Sequence, residues 1–127
     1  MEEFDFKSAK KWLLDKQKRK EKIRRDLYKK AKKEFEEIVK MIIKKFKPKK
    51  IYQWGSLIHQ ENFREYSDID IGIEGLKSIE EFFNLYGEAE NISSFPLDII
   101  ELDKIEEKTA NFIKKKAKFI YEDENKF

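Results

Sequence analysis

Ser67-Asp68-Ile69-Asp70-Ile71-Gly72-Ile73 is the stretch that decides how this chain folds. Residues two apart in a strand point to the same face, so Asp68 and Asp70 project together while Ile69, Ile71 and Ile73 point the other way. One face is suited to burial and the other carries charge. Two carboxylates this close repel each other beside an apolar sheet unless a cation neutralises them. Mg²⁺ fits that role, because hard cations take carboxylate and phosphate oxygens and keep several waters; Mn²⁺ suits the same donors.

Two further pieces flank this stretch. Upstream, Ile51-Tyr52-Gln53-Trp54 reads as a strand that ends in Gly55-Ser56. Glycine lets the backbone turn sharply and approach a ligand, a helix start just after it offers free N–H groups to phosphate, and Ser56 adds a hydroxyl. Downstream, Phe95-Pro96-Leu97-Asp98-Ile99-Ile100-Glu101-Leu102 resembles a buried strand interrupted by one acid, Asp98. If that strand lies beside the one bearing Asp68 and Asp70, the three carboxylates converge, and a site for two ions about 3.5–4 Å apart becomes feasible. Together the pieces suit transfer of a nucleotidyl group, with Asp98 on the side of the general base. Each piece alone has a plainer reading. In a chain with 43% charged residues an Asp-x-Asp arises by composition, Gly-Ser is ordinary turn chemistry, and a lone strand acid often binds a backbone amide.

Taken in order, these residues resemble the nucleotidyltransferase superfamily related to DNA polymerase beta, and within it the small minimal nucleotidyltransferases. The resemblance spans roughly residues 35 to 121 and rests on Gly55, Ser56, Asp68, Asp70 and Asp98. It implies that Asp68 and Asp70 hold the metals and that Asp98 completes the site near the acceptor hydroxyl. Catalysis and metal binding are therefore expected of Asp68, Asp70 and Asp98, and nucleotide binding of Gly55, Ser56 and Ser67. The resemblance also implies ATP or another nucleoside triphosphate as donor and a HEPN-type toxin as partner, silenced in some members by AMP attached to a tyrosine. The chain departs from the pattern after Gly55-Ser56, reading Leu57-Ile58-His59-Gln60 where the family usually has a small residue, an arginine and a glycine. The interval from Ser56 to Asp68 is one residue longer than in the toxin-neutralising members.

Composition narrows the alternatives. At 127 residues the chain has room for one domain with its own core. It has no cysteine, hence neither disulfides nor thiolate metal sites. No apolar run approaches membrane-spanning length and Met1-Glu2-Glu3-Phe4-Asp5 lacks the features of a signal peptide, so a cytoplasmic protein without membrane contact is expected. Charge is uneven: residues 7–50 hold 20 Lys and Arg against 6 acids, net +14, whereas residues 51–127 hold 9 against 17, net −8.

That basic segment reads as one long helix. Leu27, Ala31, Phe35, Ile38, Ile42 and Phe46 recur at helical spacing and form a face that covers the sheet, and Lys47-Pro48-Lys49 ends it. Between Leu14 and Ile23 nothing is apolar, so the helix projects or bends there. Phe4, Phe6, Trp12, Leu13 and Leu14 form a second sticky cluster. The extension reads as a solvated helix, a protein-docking helix or, with less support, a nucleic-acid contact. Further along, Ser78 with Glu81 forms a capping box for a helix carrying Ile79, Phe82, Phe83 and Tyr86 that Gly87 closes; Asp103 with Glu106 repeats the signal before Ile105, Thr109, Phe112 and Ile113. Phe119-Ile120-Tyr121 packs as a short last strand. His59 is expected to be exposed, and Trp12 and Trp54 to pack.

The expectation is an α+β nucleotidyltransferase fold: a small mixed sheet with helices mainly on one side, a basic extension over residues 1–34 and a transferase domain over 35–127. The activity expected is metal-dependent transfer of AMP from ATP to a hydroxyl on a HEPN-type partner. Two alternatives stand beside it, a non-catalytic antitoxin or scaffold acting by binding alone and a transferase acting on an aminoglycoside-like small molecule. An oligomer is compatible with all three.

Overall fold

The computed structural model describes residues 5–125. Helix α1 (Phe6–Lys45) opens on Asp5, whose carboxylate accepts from Lys7 N at 3.0 Å and Ser8 N at 3.2 Å, satisfying amides that a helix start leaves free. Lys47, at φ 46°, turns the chain out of the helix, and its N–H donates to Ile42 O at 3.1 Å. Pro48 follows, as expected.

Strands β1 (Lys50–Trp54), β2 (Ile69–Glu74), β3 (Leu97–Glu101) and β4 (Lys118–Glu122) form one mixed sheet in the order β3-β2-β1-β4. Only β2 and β3 are parallel, and α2 (Ile79–Ile92) makes the crossover that a parallel pair requires. Ile51, Ile69, Ile71, Ile73 and Ile99 form the inner face, sealed by Ala31, Phe35, Ile38 and Ile42 of α1 and by Leu85 and Ala89 of α2. On the opposite face α3 (Glu107–Lys116) covers a smaller cluster of Tyr52, Leu102 and Ala110 and pairs Lys114 with the buried Glu74.

Two helix boundaries differ from the sequence expectation. Gly87 does not end α2, which continues to Ile92 because Ala89 is fully buried and Ile92 packs on the core; tertiary burial overrides the local stop signal. Nor does Asp103 cap α3. Its carboxylate accepts from Gly75 N at 3.1 Å across the strand ends, and the helix starts after Glu106 without a side-chain cap. The Ser78 cap is present, with Glu81 N donating to Ser78 Oγ at 3.1 Å.

The N-terminal stretch projects rather than bends. α1 is one uninterrupted helix, yet none of its residues before Ala31 is buried. Trp12, Leu13 and Leu14 remain exposed instead of clustering; Lys16 Nζ lies 5.1 Å from the Trp12 ring. Phe4 lies outside the described residues.

Candidate active site

The parallel pairing of β2 with β3 puts Asp70 directly opposite Asp98. Asp68 precedes β2 by one residue and is exposed, Asp98 is half-buried and Asp70 is buried. All three stand at the same end of the sheet, on the face bearing Tyr52 and Leu102, beyond the cover of α3. Burial, then the charge of Asp98, then that of Asp68 push the Asp70 carboxyl up to about 7. Crowded carboxylates at one end of the sheet thus disfavour negative charge on the most buried of them.

β1 supplies the second wall. Trp54 is the register partner of Asp70, so Gly55 emerges beside that carboxylate. Gly55 sits at φ 82°, ψ −162°, and a Cβ on it would overlap Asp70 Oδ2 and approach Cγ to 2.8 Å. Only glycine combines this conformation with so close an approach. Ser56 starts a short 3₁₀ turn (Ser56–Ile58) and is half-buried next to the carboxylates in the chain path. Ser67 is buried; its hydroxyl accepts from Arg64 N at 2.9 Å while its own N–H donates to Arg64 O at 3.0 Å, which fixes the turn leading into Asp68. His59 is exposed.

Two neighbours of the carboxylates carry no signal of this position in the sequence. Tyr86 of α2 donates its hydroxyl to Leu97 O at 2.7 Å, holding the outer edge of β3 beside Asp98. Burial and then the Asp98 carboxylate raise this hydroxyl's pKa above its ordinary value. In the sequence Tyr86 sits at a core-packing spacing, and nothing there signals a clamp. Trp54, expected only to pack, has its Nε1 buried without a hydrogen-bond partner among the described residues.

The donor set is all oxygen, and the backbone of residue 55 lies directly against it because that residue lacks a side chain. Among the described residues no three His, Cys, Asp or Glu side chains stand close enough to hold a metal ion as they are. A hard divalent cation nevertheless fits the chemistry of these oxygen donors.

A mixed sheet with two carboxylates in register on adjacent parallel strands and a glycine turn against one of them defines a nucleotidyl-transfer scaffold. The family described as Polymerase beta, Nucleotidyltransferase matches residues 36–126, and the chain belongs to that family. A nucleotidyltransferase-type function and a nucleoside triphosphate substrate follow from the membership. The match begins at Glu36, so most of α1 lies outside it. No curated protein matches the chain. Among the described residues no helix is long and apolar enough to cross a membrane.

Proposed function

We propose that the chain transfers a nucleotide, AMP from ATP, to a hydroxyl of a partner protein, and that this partner is a HEPN-type toxin. Residues 35–127 are then the transferase domain and residues 1–34 its extension. The observation that carries the reading is the register of Asp70 with Asp98, beside Asp68 and under the bare backbone of Gly55.

In this reading Asp68, Asp70 and Asp98 are the residues that would hold Mg²⁺, with Mn²⁺ an acceptable substitute. When bound, the ion supplies charge neutralisation at the phosphates and the carboxylates. Gly55 lets the triphosphate approach the backbone, while the Ser56 hydroxyl and the amides of its turn donate to phosphate oxygens. Ser67 keeps Asp68 in place through its turn. The acceptor oxygen forms a bond to the α-phosphorus, the bond from that phosphorus to the bridging oxygen breaks, and pyrophosphate leaves with the electron pair. Asp98 takes the proton of the acceptor hydroxyl.

Calorimetric titration of ATP with Mg²⁺ into the protein, alongside an Asp68→Asn/Asp70→Asn variant, tests this. Metal-dependent binding in the wild type and its loss in the variant are expected. Binding that is the same with and without metal, or unchanged in the variant, would sink the mechanism.

A second reading is favoured by one observation: the acidic side chains are not gathered at ligating distance. A partner-binding antitoxin without catalysis accommodates that. It predicts that the Asp68→Asn/Asp70→Asn variant still protects cells from the partner, whereas the transferase reading predicts that protection is lost.

A further inference from the structure

The segment of α1 that the domain does not use leaves from the catalytic end of the sheet. Contacts along the helix fix its direction: Lys45 pairs with Glu88 at 2.7 Å, Glu34 Oε1 accepts from Ser94 N at 3.0 Å, and the Tyr28 ring packs on Phe63 at 6.2 Å. Beyond Tyr28 the helix passes the loop that enters β2. There Lys20, Ile23, Arg24 and Leu27 face Arg64, Glu65 and Tyr66 across a cleft of about 340 Å³, three cations against one acid. The Arg64–Ser67 turn that forms the cleft's far wall also carries Asp68 at its end. Whatever occupies the cleft therefore touches the turn that leads into Asp68.

The lining defines its occupant. Residues 7–26 hold ten Lys and Arg against three acids, net +7. Among the described residues neither Lys20 nor Arg24 has a carboxylate within ion-pair distance. Arg64 is anchored by Nη1, which donates to Glu61 O at 2.7 Å and Phe63 O at 3.0 Å, so its guanidinium is pre-positioned in the cleft wall. Between the cations lie Ile23, 55% exposed, and the Tyr66 ring, 79% exposed. Farther out, Trp12, 56% exposed, stands about 16 Å along the helix from Ile23. Cations and apolar anchors spread over that distance call for a macromolecule. Trp12, Leu13 and Ile23 want aliphatic or aromatic contact, which a protein segment supplies and a phosphate backbone does not.

We infer that the cleft and the projecting part of α1 are the docking surface for an acidic, amphipathic protein segment, and that this segment presents the acceptor hydroxyl to the site. The inference rests on the transfer reading above for the role of the hydroxyl, but not for the docking itself. Its cations attract the acidic segment, Ile23, Leu27 and Tyr66 take the apolar side chains between the acids, and Trp12 anchors the distal end.

The test uses the full chain and a fluorescent glutamate-rich Glu/Tyr copolymer as probe, read by anisotropy, with labelling by α-phosphate-labelled ATP as a second readout. Lys20→Glu/Arg24→Glu should weaken copolymer binding by about tenfold or more, and Trp12→Ala should weaken it by a smaller factor. Circular dichroism establishes that these exposed changes leave the helix intact. Asp68→Asn/Asp70→Asn should bind the copolymer as the wild type does, yet not label it. Charge-dependent binding without labelling by the wild type would count against the transfer reading while leaving the docking surface in place. Copolymer binding unaffected by Lys20→Glu/Arg24→Glu would overturn the docking surface. So would tighter binding of a single-stranded oligonucleotide than of the copolymer, or self-association in sedimentation that these variants abolish.

Discussion

Gly55 lies against the carboxylate of Asp70 so closely that a single methyl group on its α-carbon would overlap Asp70 Oδ2. Its backbone, at φ 82° and ψ −162°, is a conformation that residues with side chains essentially never adopt. Gly55→Ala should therefore cost about 1–3 kcal/mol from backbone strain alone, more with the clash, and abolish ATP binding. Urea unfolding and calorimetry on the same variant measure both. An alanine tolerated without loss of stability would mean that this turn is not as drawn.

Asp70 makes stability depend on pH in an unusual direction. Its folded pKa of about 7 lies above the ordinary carboxyl value of 3.8, so between these values the folded state keeps a proton that the unfolded state has released. Stability contributed by this group is full at low pH and falls as pH rises from about 4 to 7. Asp70→Asn should remove that slope and, without divalent metal, stabilise the fold at pH 8 by on the order of 1–2 kcal/mol. Denaturant melts of both proteins from pH 5 to 8, in chelator, decide it; identical pH profiles would refute it.

Tyr86 holds the open edge of β3 through its 2.7 Å bond to Leu97 O, one residue from Asp98. Tyr86→Phe keeps the ring and deletes the donor. The expected cost is about 0.5–1.5 kcal/mol, with faster amide exchange concentrated in Leu97–Glu101. Exchange that changes uniformly across the sheet would instead mark a general loss of packing.

Gly87 is the counter-case to Gly55. It sits exposed in the interior of α2 with nothing within 4 Å of where a Cβ would stand. Gly87→Ala should stabilise the protein by about 0.5–1 kcal/mol, since glycine weakens a helix interior. A lower midpoint in thermal melts would show that this surface does need the gap.

Much of the site was legible because its residues mark themselves by local pattern. The period-two alternation around Asp68 and Asp70 specifies a strand with one charged face, and Gly55 follows an apolar run where only a turn fits. What misled was equally local. Gly87 and the Asp103/Glu106 pair carry helix-end signals that long-range partners overrule: Ala89 and Ile92 pull α2 onward into the core, and Gly75 N takes the Asp103 carboxylate. Tyr86 as a strand clamp has no local signature, because its partner lies on another element.

Sequence by itself determined the elements that hold the candidate site, a Gly-Ser turn after an apolar strand, an Asp-x-Asp strand and a later strand with one acid, and beside them a long basic helix. Only the tertiary structure decided that β3 lies parallel to β2 with Asp98 opposite Asp70, and that Gly55 presses on that same carboxylate. It also decided that the basic helix leaves from the end of the sheet that carries Asp68, Asp70 and Asp98. The physical reason is that side-chain periodicity is a property of one segment, whereas register, charge repulsion and burial belong to pairs of segments far apart in the chain.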